Sequence, residues 1–260
     1  MNEKDRSIIA QTSAKVAGSM CMGKGRDGIT EYLACVETVF NDIIDRDFDR
    51  HVTRTQNRPL ASGEVPITNA ILLMSVLSLI GLAVLIQFNA TAILVGLGAL
   101  PLILAYPFMK RITWWPQLWL GLTFNWGALV SSAAVGGQIY PWAIALYIAG
   151  IFWTLGYDTI YAHQDKASDA LIGVKSSALR LGSTSKPAIA TFYALSLLAL
   201  HASALLANLA WPAFLGLAIG ALHFIWQIRS VNLDDPKSCL KMFQSNHNFA
   251  AIIFVGFIAG

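Results

Sequence analysis

The sequence is poor in charged residues, which make up only 13% of its 260 positions. Soluble domains carry about 25% charged residues, so this shortage argues against a soluble globular chain. The formal net charge is only +3, which excludes nucleic-acid binding driven by bulk electrostatic attraction. Hydrophobic residues, in contrast, make up 55% of the chain. We therefore expect an integral membrane protein.

Cysteine is also scarce, with only Cys21, Cys35 and Cys239 in the whole sequence. Their small number and wide spacing exclude a disulfide framework and a cysteine-rich zinc site. We expect each to be a small apolar filler or a free thiol. Residues 1–26 carry charges but no apolar core of useful length, so we expect no secretory signal peptide there.

Long apolar runs fill the sequence from residue 67 onward. A helix that crosses a bilayer needs about 20 apolar residues, and turn-forming residues such as Asn89 and Asn208 separate the runs. The fold class predicted is all-α, a polytopic bundle of transmembrane helices. The predicted spans are seven, the last of them short: 67–88, 90–108, 115–135, 140–162, 186–207, 211–228 and 247–260.

Lysine and arginine occur in every second connection between these spans. The connections near 89, 136–140 and 208–211 carry no charge at all. By the positive-inside rule, the charged connections face the cytoplasm or the mitochondrial matrix. This regular alternation disfavours a soluble bundle of core helices. We expect a bacterial or mitochondrial inner-membrane protein whose active site faces the cytoplasm or matrix.

Two acidic clusters interrupt this uncharged background and hold seven of the 15 acidic residues. Carboxylates beside lipid are costly unless they are paired, hydrated or bound to a cation. The polar residues of the first cluster are Asn41, Asp42, Asp45, Asp47 and Asp49. Those of the second are Asp158, Tyr161, Asp165 and Asp169. Since both clusters lie on the same predicted side of the membrane, we expect them to meet in one site.

Helical spacing would place the ligands of each cluster on a single face. Asp42, Asp45 and Asp49 are spaced i, i+3, i+7, and the second cluster extends this pattern to i+11. Like charges at this spacing repel one another and persist most readily around a cation. Oxygen ligands select hard ions such as Mg²⁺, which often binds substrate phosphates. With basic residues nearby, the clusters predict a diphosphate held through magnesium.

A solvated helix end is the alternative interpretation for each of these residues. We favour it for Arg46 and Asp47, and we expect His163 to be a loop or interfacial residue rather than a ligand. For Asp45, Asp49, Asp165 and Asp169 we favour the functional interpretation, because the pattern occurs twice.

The sequence around both clusters resembles two motifs of the UbiA superfamily of intramembrane prenyltransferases. The first reads Asn41-Asp-x-x-Asp-x-x-x-Asp49, followed by Arg54-Thr-x-Asn-Arg58-Pro-Leu-Ala-Ser-Gly63. The second reads Asp158-x-x-Tyr-Ala-x-x-Asp-x-x-x-Asp169, followed by Ile172-Gly-Val-Lys-Ser-Ser-Ala178. Residues 106–111 are similar to that family's connecting segment. The resemblance covers about residues 39–260 and is strongest to the ubiquinone-pathway members, which act on 4-hydroxybenzoate.

This resemblance implies a bundle of nine membrane helices, of which seven to eight are recognisable here. It implies Mg²⁺-dependent transfer of a polyprenyl group from polyprenyl diphosphate to the ring carbon ortho to the hydroxyl of 4-hydroxybenzoate. The metal ligands implied are Asn41, Asp42, Asp45, Asp49, Asp165 and Asp169. The catalytic residues implied are Asp158, Tyr161, Arg58 and Lys175. Candidates to pair with the aromatic carboxylate are Arg54, Lys110 and Arg111.

Residues 1–37 depart from the family pattern, because recurring charges leave no apolar run long enough for a span. We expect an atypical polar segment at 1–37 and a transmembrane prenyltransferase domain at 38–260. Three alternatives stay open: a different acceptor within the superfamily, a truncated inactive chain, or a cation-binding membrane transporter. Transporters usually place ionisable groups near the bilayer midplane, so carboxylates at span ends favour the enzyme.

Overall fold

The computed structural model describes residues 39–47, 49–50 and 56–260, and these residues form helices and no strand. The predicted all-α fold is confirmed. The described chain divides into two compact units, the first of which ends at Gln87 and the second of which is Phe88–Gly260. The predicted atypical segment 1–37 and Arg54 both lie outside the described residues.

In the first unit, a short amphipathic segment packs against the start of a long apolar helix. Val39, Leu60 and Ala70 are buried together in a small apolar core. Arg50 Nε donates to the Ala61 carbonyl at 2.9 Å, which ties the two short helices together. The described helices are α1 (residues 39–47), α2 (Pro59–Ser62) and α3 (Ile67–Leu85).

The second unit is a bundle of helices joined by short connections. In chain order the described helices are α4 (Ala90–Leu97), α5 (Leu100–Ile112), α6 (Pro116–Phe124), α7 (Gly127–Gly136), α8 (Pro141–Ala162), α9 (Lys166–Ile172), α10 (Ser177–Leu181), α11 (Ser185–Leu206), α12 (Trp211–Ser230) and α13 (Pro236–Ala259). A 3₁₀ turn at Gly182–Thr184 joins α10 to α11.

Six stretches of the described chain are long and apolar enough to cross a membrane. Leu94, Leu198 and Leu222 exemplify the large apolar side chains that stay exposed on them, as expected of surfaces that contact lipid. The stretches correspond to the first six predicted spans: Ile67–Leu85, Ala90–Ile112, Pro116–Gly136, Pro141–Ala162, Ser177–Leu206 and Trp211–Ser230.

The seventh predicted span is wrong in its limits. Helix α13 begins at Pro236 rather than at residue 247, and it is not among the six apolar stretches. Asp235 caps this helix by accepting a hydrogen bond from the Lys237 backbone N–H at 3.0 Å, and proline is well suited to the first turn. Polar residues at 244–248 lower the hydropathy of the helix, so counting apolar runs misses its first half.

Two predicted spans are each built from two helices. Pro101 has no N–H to offer the Leu97 carbonyl, and α4 ends there. Between α6 and α7, the Asn125 side chain donates to a carbonyl of the preceding turn at 2.9 Å. Trp126 Nε1 then donates to the Val95 carbonyl at 2.8 Å. Neighbouring side chains thus bond to backbone groups beside the breaks, which makes such breaks tolerable in lipid.

Helices α8 and α11 pack along each other through small residues and hydroxyl groups. Ser196 and Ser203 of α11 donate to the carbonyls of Ala149 and Trp142 of α8, both at 2.9 Å. Small residues let helix backbones approach closely in membranes. The second acidic motif begins on the last turns of α8. The packing of α8 against α11 therefore fixes the position of the start of that motif.

Replacing Gly156 by alanine should destabilise the bundle by about 1–3 kcal/mol. An added Cβ would overlap the ring of Tyr193, which is buried and stacks on Phe224 with ring centroids 3.8 Å apart. Gly127→Ala is the matched control, because a Cβ there meets nothing within 4 Å. Alanine favours a helix over glycine, so the control should hold or raise stability. Thermal unfolding in detergent measures both, and equal midpoints would contradict the packing argument.

Candidate functional site

Three carboxylates of the first motif lie on the buried side of the segment that begins with α1. Asp42, Asp45 and Asp49 are all buried, as their common helical face predicts. The Asp47 side chain is 86% exposed and pairs with Arg50 at 3.5 Å, which agrees with its predicted solvated role. Asn41 is half-buried. The first unit therefore concentrates acidic groups in a sheltered place.

Arg58 joins two of these buried carboxylates. Its Nη1 atom donates to Asp42 Oδ1 at 2.8 Å and to Asp49 Oδ2 at 2.9 Å. Hydrogen bonds between charged groups are among the strongest in proteins. The Arg58 side chain stays 41% exposed while both partners are almost covered. The carboxylates thus orient a guanidinium that still reaches solvent.

The charge of the Asp42 carboxylate is poorly compensated. Burial raises the pKa of Asp42 to about 6, although the Arg58 cation opposes that rise. Repulsion from Asp49 and Asp45 raises the pKa further. A bound cation would stabilise the charged form of such a group and relieve the repulsion.

The donor chemistry of these residues fits a magnesium ion. All the predicted ligands offer oxygen atoms, which hard cations prefer. Within the described chain, no three His, Cys, Asp or Glu side chains are grouped closely enough to hold a metal ion by themselves. Magnesium usually keeps several waters and takes phosphate oxygens beside one or two carboxylates.

The second motif does not continue α8 as one helix, so the predicted single ligand face is wrong. Helix α8 ends at Ala162, where the N–H groups of His163 and Gln164 bond to carbonyls three residues earlier, at 3.2 and 3.0 Å. Asp165 then precedes the short helix α9, and Asp169 lies in its first turn. Because α8 ends in this tighter turn, Asp165 and Asp169 lie at the start of a separate short helix.

Asp158 and Tyr161 remain on the last turns of α8, where both are half-buried. The ring centroid of Tyr161 lies 4.5 Å from that of Phe243, and the ring of Tyr157 lies 5.6 Å from it. Phe243 belongs to the polar half of α13 that apolar-run counting missed. The predicted catalytic pair therefore has an aromatic surface of α13 beside it.

Lys175 lies in the connection after α9 and is fastened to the end of α5. Its backbone N–H donates to the Lys110 carbonyl at 2.9 Å, and its Nζ donates to the Ile112 carbonyl at 3.0 Å. The ammonium also sits 5.9 Å from the centroid of the Trp114 ring. The second unit thus brings together Lys175 and Lys110, which were predicted separately, while Arg111 is exposed beside them.

Buried polar residues around the second motif were not among the predicted site residues. Thr159 Oγ1 and Ser177 Oγ are 2.8 Å apart, and His163 Nε2 and Ser185 Oγ are 3.0 Å apart. His163 is only 6% exposed and lies in the turn after α8, which agrees with its predicted loop position. Burial lowers the pKa of His163, and the nearby Lys166 cation lowers it further. The sequence signal that could have identified these residues is their position as polar residues at the ends of apolar spans.

The joint site predicted for the two motifs stays a prediction, as do the individual ligand and substrate assignments. Comparison with known proteins tests the family instead. The UbiA prenyltransferase family matches residues 30–253. The 4-hydroxybenzoate geranyltransferase 2 of Lithospermum erythrorhizon is 47% identical over 221 residues, which cover 85% of this chain and 72% of that protein.

A second relative is the mitochondrial 4-hydroxybenzoate polyprenyltransferase of Drosophila melanogaster. It is 44% identical over 221 residues, which cover 85% of this chain. The match spans 56% of the length of that protein.

Solved structures with the same fold come from the same family. The apo structure of a UbiA homologue from Aeropyrum pernix K1 is 25% identical with a TM-score of 0.74, covering 99% of this chain and 98% of that one. A UbiA homologue from Archaeoglobus fulgidus, bound to DMAPP and Mg²⁺, is 17% identical with a TM-score of 0.65, covering 95% and 93%. With both motifs present and a matching fold, the chain belongs to the UbiA prenyltransferase family.

Proposed function

We propose that this protein transfers a polyprenyl group from a polyprenyl diphosphate to the ring carbon ortho to the hydroxyl of 4-hydroxybenzoate, a step of ubiquinone biosynthesis. The structural observation that carries the proposal is the buried set of Asp42, Asp45 and Asp49 with Arg58 bridging two of them. The choice of acceptor is supported by relatives at 47% and 44% identity that are named for 4-hydroxybenzoate.

The acidic residues of both motifs are assigned to the diphosphate end of the donor. Bound Mg²⁺ would neutralise the negative charge that develops on the leaving diphosphate as the allylic C–O bond breaks. Arg58 and Lys175 are assigned as fixed cationic donors to the same oxygens. The proposed ligands are Asn41, Asp42, Asp45, Asp49, Asp165 and Asp169.

Asp158 and Tyr161 are assigned to the reacting carbons. The Asp158 carboxylate would stabilise positive charge on the allylic carbon, and the Tyr161 ring would offer its negative π face to the same charge. The ring carbon of the phenol then bonds to the allylic carbon. That ring carbon loses its proton to the Asp158 carboxylate, which restores aromaticity. Apolar helices would exclude water and so protect the cation from hydrolysis.

The carboxylate of the acceptor needs a cationic partner. Lys110 and Arg111 occupy the last turn of α5, and they are proposed for this role together with Arg54. By the positive-inside rule, the charged connections that carry these residues would face the cytoplasm or the mitochondrial matrix. The proposed location is a bacterial or mitochondrial inner membrane, and the mitochondrial option agrees with the name of the Drosophila relative.

A product assay tests the proposed function. Membranes that contain the protein are incubated with Mg²⁺, geranyl diphosphate and 4-hydroxybenzoate, and mass spectrometry should detect 3-geranyl-4-hydroxybenzoate. EDTA should reduce the product to background, and excess Mg²⁺ should restore it. Benzoate is the matched acceptor control, because it lacks the hydroxyl that activates the ring.

The outcomes separate the alternatives. Product from another phenolic acceptor, but not from 4-hydroxybenzoate, would reassign the acceptor within the family. Folded protein that gives no product with any acceptor would overturn the enzyme assignment. Vesicles that accumulate a divalent cation without forming product would favour a transporter instead.

A further inference from the structure

The loop between α8 and α10 carries three of the predicted site residues. Residues 164–176 include Asp165, Asp169 and Lys175, and their local structure is the short helix α9 with turns on either side. The Val174 N–H donates to the Asp169 carbonyl at 3.0 Å, which caps the end of α9 beyond Gly173. Such a short helix has little intrinsic stability. Contacts at the base of the loop can therefore add to its stability.

A buried pair of hydroxyl groups closes the base of this loop. Thr159 on α8 and Ser177 at the start of α10 are fully buried, and their oxygens are 2.8 Å apart. The Ser177 N–H also points to Gln117 Oε1 at 3.3 Å, and the Gln117 side chain is buried as well. A residue just before the loop and another just after it are thus joined in an apolar interior, where an unmade hydrogen bond is costly.

A second buried pair joins the residue after α8 to the start of α11. His163 Nε2 and Ser185 Oγ are 3.0 Å apart, and Ser185 Oγ donates to the Gly182 carbonyl at 2.8 Å. His163 Nε2 and Ser185 Oγ are thus within hydrogen-bonding distance, and either atom can carry the proton of this bond. Thr159 lies on α8 and His163 is the residue that follows its end, and each is within hydrogen-bonding distance of a hydroxyl group of the chain after the loop.

These two pairs join different parts of the chain from those joined by Ser196 and Ser203 of α11. Ser196 and Ser203 donate to main-chain carbonyls of α8, which joins two continuous helices far along the chain from the loop. The Thr159–Ser177 and His163–Ser185 contacts instead join side chains on either side of the same loop. Lys175 adds a third attachment through its bonds to the end of α5.

We propose that Thr159, Ser177, His163 and Ser185 are positioning residues that hold Asp165 and Asp169 in place for the metal–diphosphate group. The inference rests on the proposed function, because it assigns these residues a purpose within that reaction. None of the four needs to touch substrate. Their loss should loosen the loop, so that the carboxylates are correctly placed only part of the time. Partners that orient metal ligands typically affect metal affinity by about 10- to 100-fold.

Isosteric variants test this role. Thr159→Val removes the hydroxyl at constant shape, and His163→Leu removes the ring nitrogen that bonds to Ser185. Each should raise the Mg²⁺ concentration for half-maximal prenyl transfer by about 10- to 100-fold. Thr159→Ser and His163→Gln keep a hydrogen-bonding group near the same place and should restore most of the loss. Ser196→Ala is the matched control, because it deletes a buried serine hydroxyl away from the loop.

Amide hydrogen exchange gives a readout that needs no activity. In the intact protein in nanodiscs, Thr159→Val and His163→Leu should speed exchange at residues 164–176 by at least about 10-fold, and Ser196→Ala should not. Loop exchange and Mg²⁺ dependence that match those of Ser196→Ala would overturn the positioning role. If the wild-type protein forms no product, the proposed function fails while the exchange experiment still decides whether these residues hold the loop.

Discussion

Replacing Asp45 and Asp165 together by alanine should abolish prenyl transfer, and each single asparagine variant should lose about 100- to 1,000-fold in kcat. Asp45 is one of the buried carboxylates of the first motif, and Asp165 precedes the local helix of the second. Both are assigned to hold the cation that carries the diphosphate. Full activity in the double alanine variant would overturn the metal–diphosphate assignment.

The stability of Asp45→Asn separates a metal ligand from a structural residue. The Asp45 charge repels the neighbouring Asp42 carboxylate and raises its pKa. Asparagine keeps the shape but removes that repulsion, and the thermal midpoint of each protein without metal is the reference for its response to ligands. With wild-type protein, Mg²⁺ and a prenyl diphosphate should raise the midpoint, because ligands that bind the folded state stabilise it. Asp45→Asn should lose most of this rise.

Asp47→Asn is the control for this experiment. It removes a carboxylate from the same motif, but the Asp47 side chain is 86% exposed and pairs only weakly with Arg50 at 3.5 Å. An exposed ion pair of this kind contributes little to stability. The variant should keep wild-type activity and the wild-type response to Mg²⁺. If Asp47→Asn lost as much activity as Asp45→Asn, the loss in both variants would be due to disruption of the helix and not to loss of a metal ligand.

Much of the fold could be predicted from the sequence because lipid imposes a simple rule. A spanning helix must be long and apolar, and six of the seven predicted spans are confirmed on that basis. The rule fails where a helix is partly polar. Helix α13 begins at Pro236, and only the Asp235 cap and the proline marked its start. Counting apolar residues also cannot see the break at Asn125, which depends on a side-chain bond to the helix backbone.

The local geometry of the first motif was predictable from its spacing. Asp42, Asp45 and Asp49 were predicted to share one helical face, and the burial of all three agrees with that prediction. For the second motif, a single ligand face requires α8 to continue through Asp169, but the helix ends at Ala162. Contacts between distant residues, such as His163 with Ser185, depend on tertiary packing, which single-segment periodicity does not encode.

Replacing Arg58 by alanine should raise the KM for the prenyl diphosphate by about 100-fold, because a hydrogen bond to a charged group contributes about 1.5–3 kcal/mol. Arg58 Nη1 bonds to Asp42 and Asp49, and its side chain is 41% exposed. The planar guanidinium keeps further N–H donors, and planar forks suit phosphate oxygens. Arg58→Lys keeps the charge but not the fork, so its KM should rise by about 10-fold.

Excess Mg²⁺ distinguishes the two roles open to Arg58. If the guanidinium only compensates the buried carboxylates, a saturating cation should take over that task and restore Arg58→Ala. If it contacts the diphosphate, the raised KM should persist at every Mg²⁺ concentration, and this is the result we expect. Arg50→Ala is the matched control, since Arg50 bonds to the Ala61 carbonyl and to exposed Asp47 instead. That variant should lower the thermal midpoint without changing the KM, and full rescue of Arg58→Ala by Mg²⁺ would refute a direct contact with the diphosphate.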